Sequence, residues 1–355
     1  MKAGLALEDG TYLEGKAFGA EKIGIGELVF CTSMTGYVEA LTDPSYKGQI
    51  LMMTYPLIGN YGVCKEDFES DGVKVEGFVV RELCKKPSNW RSEMSVDELL
   101  KQYDVVGIEG VDTRMLTKKI RIYGSMKAAI GVGVEKEKLI KIAREQPFIG
   151  DIDLVDKVCV REPKRIEAKG KYEVVLIDCG VKMSIVRQLL KRGINLTLVP
   201  YNFPAEKIIE MNPDGVFISN GPGDPARVKE TIETIRKLVG KFPMAGICLG
   251  HQLMALAFKA KTFKLKFGHH GSNQPTKDLE TGRVFISSQN HNFSVDEKTL
   301  PKGFEVTQIN LNDRTVEGLK HNDLPIITVQ YHPEAGPGPH DTYFFFDRFL
   351  ELLRG

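Results

Sequence analysis

Apolar positions along the chain follow two patterns that change near residue 165. Before that point, short β-like runs are punctuated by glycine. Leu5 to Leu7, the Asp9-Gly10 pair and Thr11 to Leu13 come first, followed by Gly26 to Thr32 and Gln49 to Thr54. An Asp-Gly pair between two alternating runs is a hairpin signal. Helices are sparse here. Ser95-Val96-Asp97-Glu98 fits a capping box that opens a helix through Tyr103, and Val134 to Glu145 predicts a second, rich in Lys and Glu. This half reads as a mixed α/β domain weighted towards strands, spanning 1–160.

The stretch 161–171, from Arg161-Glu162-Pro163-Lys164-Arg165 to Lys169-Gly170-Lys171, has almost no apolar residues and reads as a solvated linker. From 172 to 355 the pattern becomes regular. Apolar strands at Glu173 to Asp178, Leu196 to Val199, Gly215 to Ser219 and Met244 to Ile247 alternate with helices. Those helices are Met183 to Arg192, closed by Gly193, then Ala205 to Met211, Ala226 to Val239 and His251 to Phe258. Such alternation predicts an α/β domain with a mostly parallel sheet covered on both faces. The runs Arg283 to Ser287, Phe304 to Gln308 and Pro325 to Gln330 lack full helices between them and read as strands added at one edge. Thr342 to Leu353 predicts a final helix.

Composition narrows the function. With 48 Lys and Arg against 47 Asp and Glu, the net charge is +1, which argues against a nucleic-acid binder and a polybasic membrane anchor. At 42% apolar and 27% charged residues the 355-residue chain has core material for two domains. No apolar run is long enough to span a bilayer. Met1-Lys2-Ala3 and Glu8-Asp9-Gly10 lack the apolar core of a signal peptide. Six scattered cysteines without a CxxC pair read as reduced thiols, so the expected compartment is the cytoplasm.

The densest chemical signal is Gly246-Ile247-Cys248-Leu249-Gly250-His251-Gln252, where a strand ends and a helix begins. This is G-x-C-x-G, the cysteine form of a nucleophile elbow. Small flanking residues allow a sharp turn, the helix N-terminus favours negative charge on sulfur, and the Leu249 amide is free to meet a developing oxyanion. Alone, the same turn fits a buried structural cysteine equally well. A second cluster shifts the balance. The strand Ile326 to Gln330 runs into Tyr331-His332-Pro333-Glu334, and functional groups collect at the carboxyl ends of parallel strands. Cys248, His332 and Glu334 can therefore meet as nucleophile, base and orienting acid.

Ser219-Asn220-Gly221-Pro222-Gly223-Asp224-Pro225 also lies between strand and helix. It fits G-x-G-x-x-A formally, but two prolines remove amides that a phosphate would use. No acidic residue occurs from Thr234 to Lys277 to hold a ribose. The better reading is a backbone nest offering the Gly223 amide as a second oxyanion donor. A P-loop is absent. His269-His270 lacks carboxylate or cysteine neighbours at ligand spacing, so no metal site is expected and the pair reads as structural. Lys259, Lys261, Lys264 and Lys266 read as a solvated face.

Gly246 to Gln252, Ser219 to Pro225 and His332-Pro333-Glu334 together resemble the class I (triad) glutamine amidotransferases. The resemblance implies a flavodoxin-like C-terminal domain that hydrolyses glutamine to glutamate and ammonia. The first half is similar to the N-terminal domain of the carbamoyl phosphate synthetase small chain. Cys31 to Tyr46, Thr54 to Gly62, Ser88-Asn89-Trp90-Arg91 and Gly107 to Arg114 carry that likeness. Phe267 to Gly271, Gln289-Asn290-His291 and Glu334 to Asp341 extend it. By this resemblance Cys248 forms a glutamyl thioester, His332 transfers protons and Glu334 orients it. Gly223 and Leu249 amides hold the oxyanion, while Ser45, Gly221, Gln252, Asn290, Asn292 through its backbone, and Phe293 hold glutamine. Asn292, Ser272 and Tyr331 stand where relatives commonly have glycine. The resemblance also implies a large synthetase subunit, in a heterodimer or a higher oligomer of heterodimers. That subunit carries the ATP and Mg and makes carbamoyl phosphate from bicarbonate for arginine and pyrimidine biosynthesis. This chain would carry no cofactor and contact neither nucleic acid nor membrane. The competing readings are an amidotransferase subunit of another pathway, a stand-alone cysteine hydrolase and a non-catalytic scaffold.

Overall fold

In the computed structural model, which describes residues 1–355, the chain divides into two units. One comprises Met1–Ile152 with Lys266–Gly271, the other Asp153–Leu265 with Ser272–Gly355. The first carries β1 (Lys2–Leu7), β2 (Tyr12–Gly19), β3 (Ile23–Cys31), β4 (Gln49–Met53), β5 (Leu57–Ile58), β6 (Gly77–Val80), β7 (Glu82–Leu83), β8 (Val106–Glu109) and β9 (Met126–Val132). Its helices are α1 (Tyr37–Thr42), α2 (Val96–Gln102), α3 (Thr113–Tyr123) and α4 (Lys136–Glu145). Seven strands close a barrel in the order β1-β2-β8-β6-β4-β3-β9, and β5 and β7 form a separate parallel pair.

Strand alternation sorts this unit's apolar residues onto two faces. Leu28, Phe30, Ile50, Met52 and Val79 join one core with α3, whereas Val29, Cys31, Leu51, Phe78 and Val80 join another with α1 and α2. The Asp9-Gly10 hairpin forms, pairing Leu5 with Leu13, and Ser95 and Glu98 make the expected capping box. Helix α3 escaped the sequence pattern because its two buried apolar positions, Leu116 and Ile120, sit among six Lys, Arg and Thr side chains. It starts where Asp112 accepts the Met115 N–H. His269 and His270 are buried in this unit, where the His270 carbonyl accepts the Thr32 N–H and its ring lies 5.9 Å from Tyr46.

The second unit contains β10 (Lys164–Ile166), β11 (Tyr172–Asp178), β12 (Ile194–Pro200), β13 (Gly215–Ile218), β14 (Met244–Ile247), β15 (Thr262–Asp278) apart from its Lys266–Gly271 stretch, β16 (Val284–Val295), β17 (Phe304–Asn310), β18 (Val316–His321) and β19 (Ile326–Val329). Its helices are α5 (Met183–Lys191), α6 (Ala205–Met211), α7 (Lys229–Leu238), α8 (Leu249–Ala257) and α9 (Phe344–Arg354). The sheet order is β10-β12-β11-β13-β14-β19-β18-β17-β15-β16. Strands β12, β11, β13, β14 and β19 are mutually parallel, and counted alone they run 2-1-3-4-5, the flavodoxin-like order. Val175, Ile177, Val216 and Met244 pack one face against α6, α7 and α8. Val174, Leu176, Phe217 and Ile247 pack the other against α5 and α9.

Two expectations change here. The run 325–330 is not an edge strand, since β19 pairs parallel with β14 in the middle of the sheet. The 161–171 stretch contains β10, paired antiparallel with β12 through Arg165 and Thr197. The lysine-rich stretch after α8 leads into the 17-residue strand β15 and is solvated as expected, with Lys264 half-buried and Lys259, Lys261 and Lys266 exposed. No helix is long and apolar enough to cross a membrane.

Candidate active site

Strand β14 delivers Cys248 into a turn that few side-chain-bearing residues adopt, φ 53° and ψ −102°, directly before α8. The turn is tight because its neighbours are small. A Cβ on Gly250 would lie 2.3 Å from the Ile218 carbonyl oxygen of β13, and one on Gly246 would meet the Gly250 carbonyl at 2.8 Å. The Gly250 N–H donates to Ser219 O, while the Leu249 N–H at the head of α8 has no acceptor. Cys248 itself is 2% exposed, and its thiol donates to the Asn290 carbonyl across 3.6 Å.

Strand β19 ends three residues before His332, whose N–H donates to Ser288 O at 2.8 Å. His332 Nδ1 donates to Glu334 Oε1 at 2.6 Å, which leaves Nε2 as the nitrogen free to exchange a proton. The ring's other side-chain interaction is with Cys248. Burial opposes the charged ring, but the charges of Glu334 and Cys248 outweigh it and push His332 up to about 10. Glu334 is buried as well, which by itself would raise its carboxyl. Lys182 and His332 reverse that and hold it near 2. Lys182 Nζ lies 3.0 Å from Glu334 Oε1 and donates to Ala335 O at 2.7 Å.

Other expected residues have more specific places. Gln252 donates through Nε2 to Phe293 O at 2.7 Å and Gln330 Oε1 at 3.0 Å. The Phe293 carbonyl also accepts from His291 Nδ1, and His291 Nε2 meets Gln289 Oε1. Gln289 and Asn310 donate to buried Glu317, which steadies the strand carrying Asn290. Gly221 approaches the Cys179 carbonyl so closely that a Cβ would sit 2.2 Å from it. Gly223 has φ +90°. Asn292 lies on β16 without positive φ, so a residue other than glycine stands there unstrained. Tyr331 is wholly buried against Phe285, and Ser272 Oγ is 3.5 Å from Ser288 Oγ. Ser45 sits in the first unit, in the short 3-10 turn Pro44–Tyr46, with its N–H on Asp43 Oδ1.

Comparison with known proteins follows the same division. The glutamine amidotransferase class-I family model matches residues 175–352, and the carbamoyl-phosphate synthase small chain, CPSase domain, matches residues 5–130. The chain is 85% identical over 355 residues to the carbamoyl phosphate synthase small chain of Archaeoglobus fulgidus, covering 100% of this chain and 99% of that one. This chain belongs to the carbamoyl phosphate synthase small chain family. The Methanocaldococcus jannaschii member is 56% identical, with 99% of each chain covered. The Aquifex aeolicus member is 52% identical, covering 99% of this chain and 98% of its own. Among solved structures, a glutamine amidotransferase from Thermotoga maritima is 14% identical over 52% of this chain and 99% of that chain, with a TM-score of 0.42.

The sequence reading missed Lys182, Gln330, Ser219 and Glu317. Lys182 and Ser219 lie at strand-to-helix junctions on the same sheet edge as Cys248, which is the one sequence signal that could have flagged them. Glu317 sits inside β18, a strand the pattern did not reveal.

Proposed function

We propose that this chain hydrolyses glutamine to glutamate and ammonia and passes the ammonia to a large, ATP-using subunit that makes carbamoyl phosphate from bicarbonate. The observation that carries the reading is a buried cysteine in a strained strand-to-helix turn, interacting with a histidine whose far nitrogen is held by a carboxylate. In the first step the Cys248 thiolate attacks the side-chain amide carbon, with its proton resident on His332 Nε2. The Leu249 and Gly223 amides stabilise the resulting oxyanion. The C–N bond then breaks, and His332 delivers its proton to the leaving nitrogen, releasing ammonia and leaving a glutamyl thioester. Neutral His332 next takes a proton from water, the hydroxide adds to the thioester, and the C–S bond breaks to release glutamate. Glu334 holds the imidazole in orientation throughout and stabilises its charged form.

Gln252, Gly221, Asn290 and Phe293 hold the substrate, and Asn292 contributes through its backbone. No cofactor is needed on this chain, and ATP and Mg serve the large subunit. Ammonia that becomes protonated can no longer act as a nucleophile, so a sheltered passage to the partner in the cytoplasm follows, with the product feeding arginine and pyrimidine synthesis. The test is Cys248→Ser in the complex with the large subunit. Glutamine-driven carbamoyl phosphate synthesis should vanish while synthesis from ammonium salt persists. Retention of glutamine use by this variant would remove Cys248 from the mechanism.

A further inference from the structure

The first unit holds a basic groove that the glutaminase reading leaves without a role. A cavity of about 590 Å³ is lined by four cations, Arg81, Arg114, Lys118 and Arg121, against a single carboxylate, Asp112. All four cations are exposed, and none forms an ion pair. Arg81 reaches only the Gly110 carbonyl, at 3.3 Å. Asp112 is already engaged as the cap of α3. The same helix pairs a cation elsewhere, since Lys119 meets Asp9 at 2.6 Å. Arg114 moreover lies in the first turn of α3, where the helix dipole disfavours a cation. Stability therefore does not account for this arrangement.

Arg114, Lys118 and Arg121 follow i, i+4, i+7 spacing and share one face of α3. At a rise of about 1.5 Å per residue they extend along roughly 10 Å, longer than one phosphate can bridge. The residues adjoining them are exposed and apolar: Met115, Ile122 and Tyr123 on α3, and Tyr55 between the lining residues Thr54 and Pro56. Arginine beside exposed tyrosine and methionine is the composition of a protein interface. The chain's net charge of +1 leaves no overall field to attract an acidic partner, so the attraction is local to this groove.

We infer that the α3 groove docks a carboxylate-rich segment of the large synthetase subunit. This rests on the proposed pairing with that subunit, and it adds where the subunit is gripped and by what chemistry. The groove lies outside the glutamine-hydrolysing machinery, so its charge can be altered without touching Cys248, His332 or Glu334.

The experiment uses the full-length chain and the separately purified large subunit, with association followed by interferometry at low and high salt. The variant Arg114→Glu/Lys118→Glu/Arg121→Glu should bind about tenfold or more weaker, mainly through a slower on-rate, and with a flatter salt dependence than wild type. The neutral variant Arg114→Gln/Lys118→Gln/Arg121→Gln should fall between the two, which guards against a folding artefact in the reversal. Glutamine hydrolysis and thermal midpoint of the isolated variants should match wild type. Equal affinity of the reversal variant and wild type at low salt overturns the docking site while leaving the glutaminase reading intact. Failure of the wild-type chain to bind the large subunit overturns that reading and this one together. Protection of the α3 amides by inorganic pyrophosphate, with subunit affinity unchanged in the reversal variant, makes the groove a small-anion site and overturns the proposal.

Discussion

Lys182 shows how the buried Glu334 carboxylate stays charged without water. A buried ion is tolerated only when its partner and remaining hydrogen-bond sites are satisfied, and Lys182 meets both Glu334 and the Ala335 carbonyl. Replacing it by methionine leaves Glu334 buried without its cation. Lys182→Met should lose about 3–5 kcal/mol of stability in denaturant titration, and kcat/KM for glutamine should fall with it. Glu334→Gln keeps the shape but removes the charge that holds His332 and stabilises its cation. Its kcat/KM should drop by about 10²- to 10⁴-fold with little change in KM. The pH dependence follows from the same charges. Glu334 is lowered from 4.5 to about 2, so its stabilising contribution is complete above 4.5 and is lost as pH falls through about 2. His332 is raised from 6.5 to about 10, so its contribution is complete below 6.5 and is lost as pH rises through about 10. Thermal midpoints across this range should show the acid loss moved to higher pH in Lys182→Met and the alkaline loss weakened, with only Cys248 left to raise His332, in Glu334→Gln. An unchanged alkaline limb in Glu334→Gln would contradict the pairing.

At the scale of elements, the elbow between β14 and α8 depends on how closely β13 approaches it. A methyl group on Gly250 would sit 2.3 Å from the Ile218 carbonyl, an atom of rigid backbone, so the turn must open to accept it. Gly250→Ala should destabilise by about 1–3 kcal/mol and lose most glutamine hydrolysis, because opening the turn moves Cys248. Calorimetry and a glutaminase assay on the same preparation check this, and a stable, fully active Gly250→Ala would refute it. The G-x-C-x-G pattern and the His-Pro-Glu run were legible because each follows an apolar strand. The place of β19 was not. Periodicity reports that residues 326–329 are buried, but only pairing with Met244 to Ile247 sets them beside Cys248. Helix α3 stayed hidden because two buried apolar positions in eleven residues give too weak a stripe.

For the whole molecule, each unit has its own core. Phe217 stacks on Phe346 at 6.5 Å and meets Phe349 edge-on at 5.3 Å, all within the second unit. Phe346→Ala should lose about 3–5 kcal/mol, seen in scanning calorimetry as a lowered transition for the second unit with that of the first unmoved. A single transition shifting as one body would show that the two cores melt together. The sequence by itself determined the strand-and-helix alternation of 172–355, the strand-rich character of 1–160, the motifs that single out Cys248, His332 and Glu334 as candidates, and the family. These are local signals, since apolar period, turn chemistry and short motifs are written in consecutive residues. Only tertiary structure decided the closed seven-strand barrel, the assignment of Lys266–Gly271 to the first unit, the Lys182 support of Glu334 and the placing of Arg81 beside the cations of α3. Each of those depends on groups far apart in the chain being brought within a few ångströms, and no local pattern encodes which distant strand or charge becomes the neighbour.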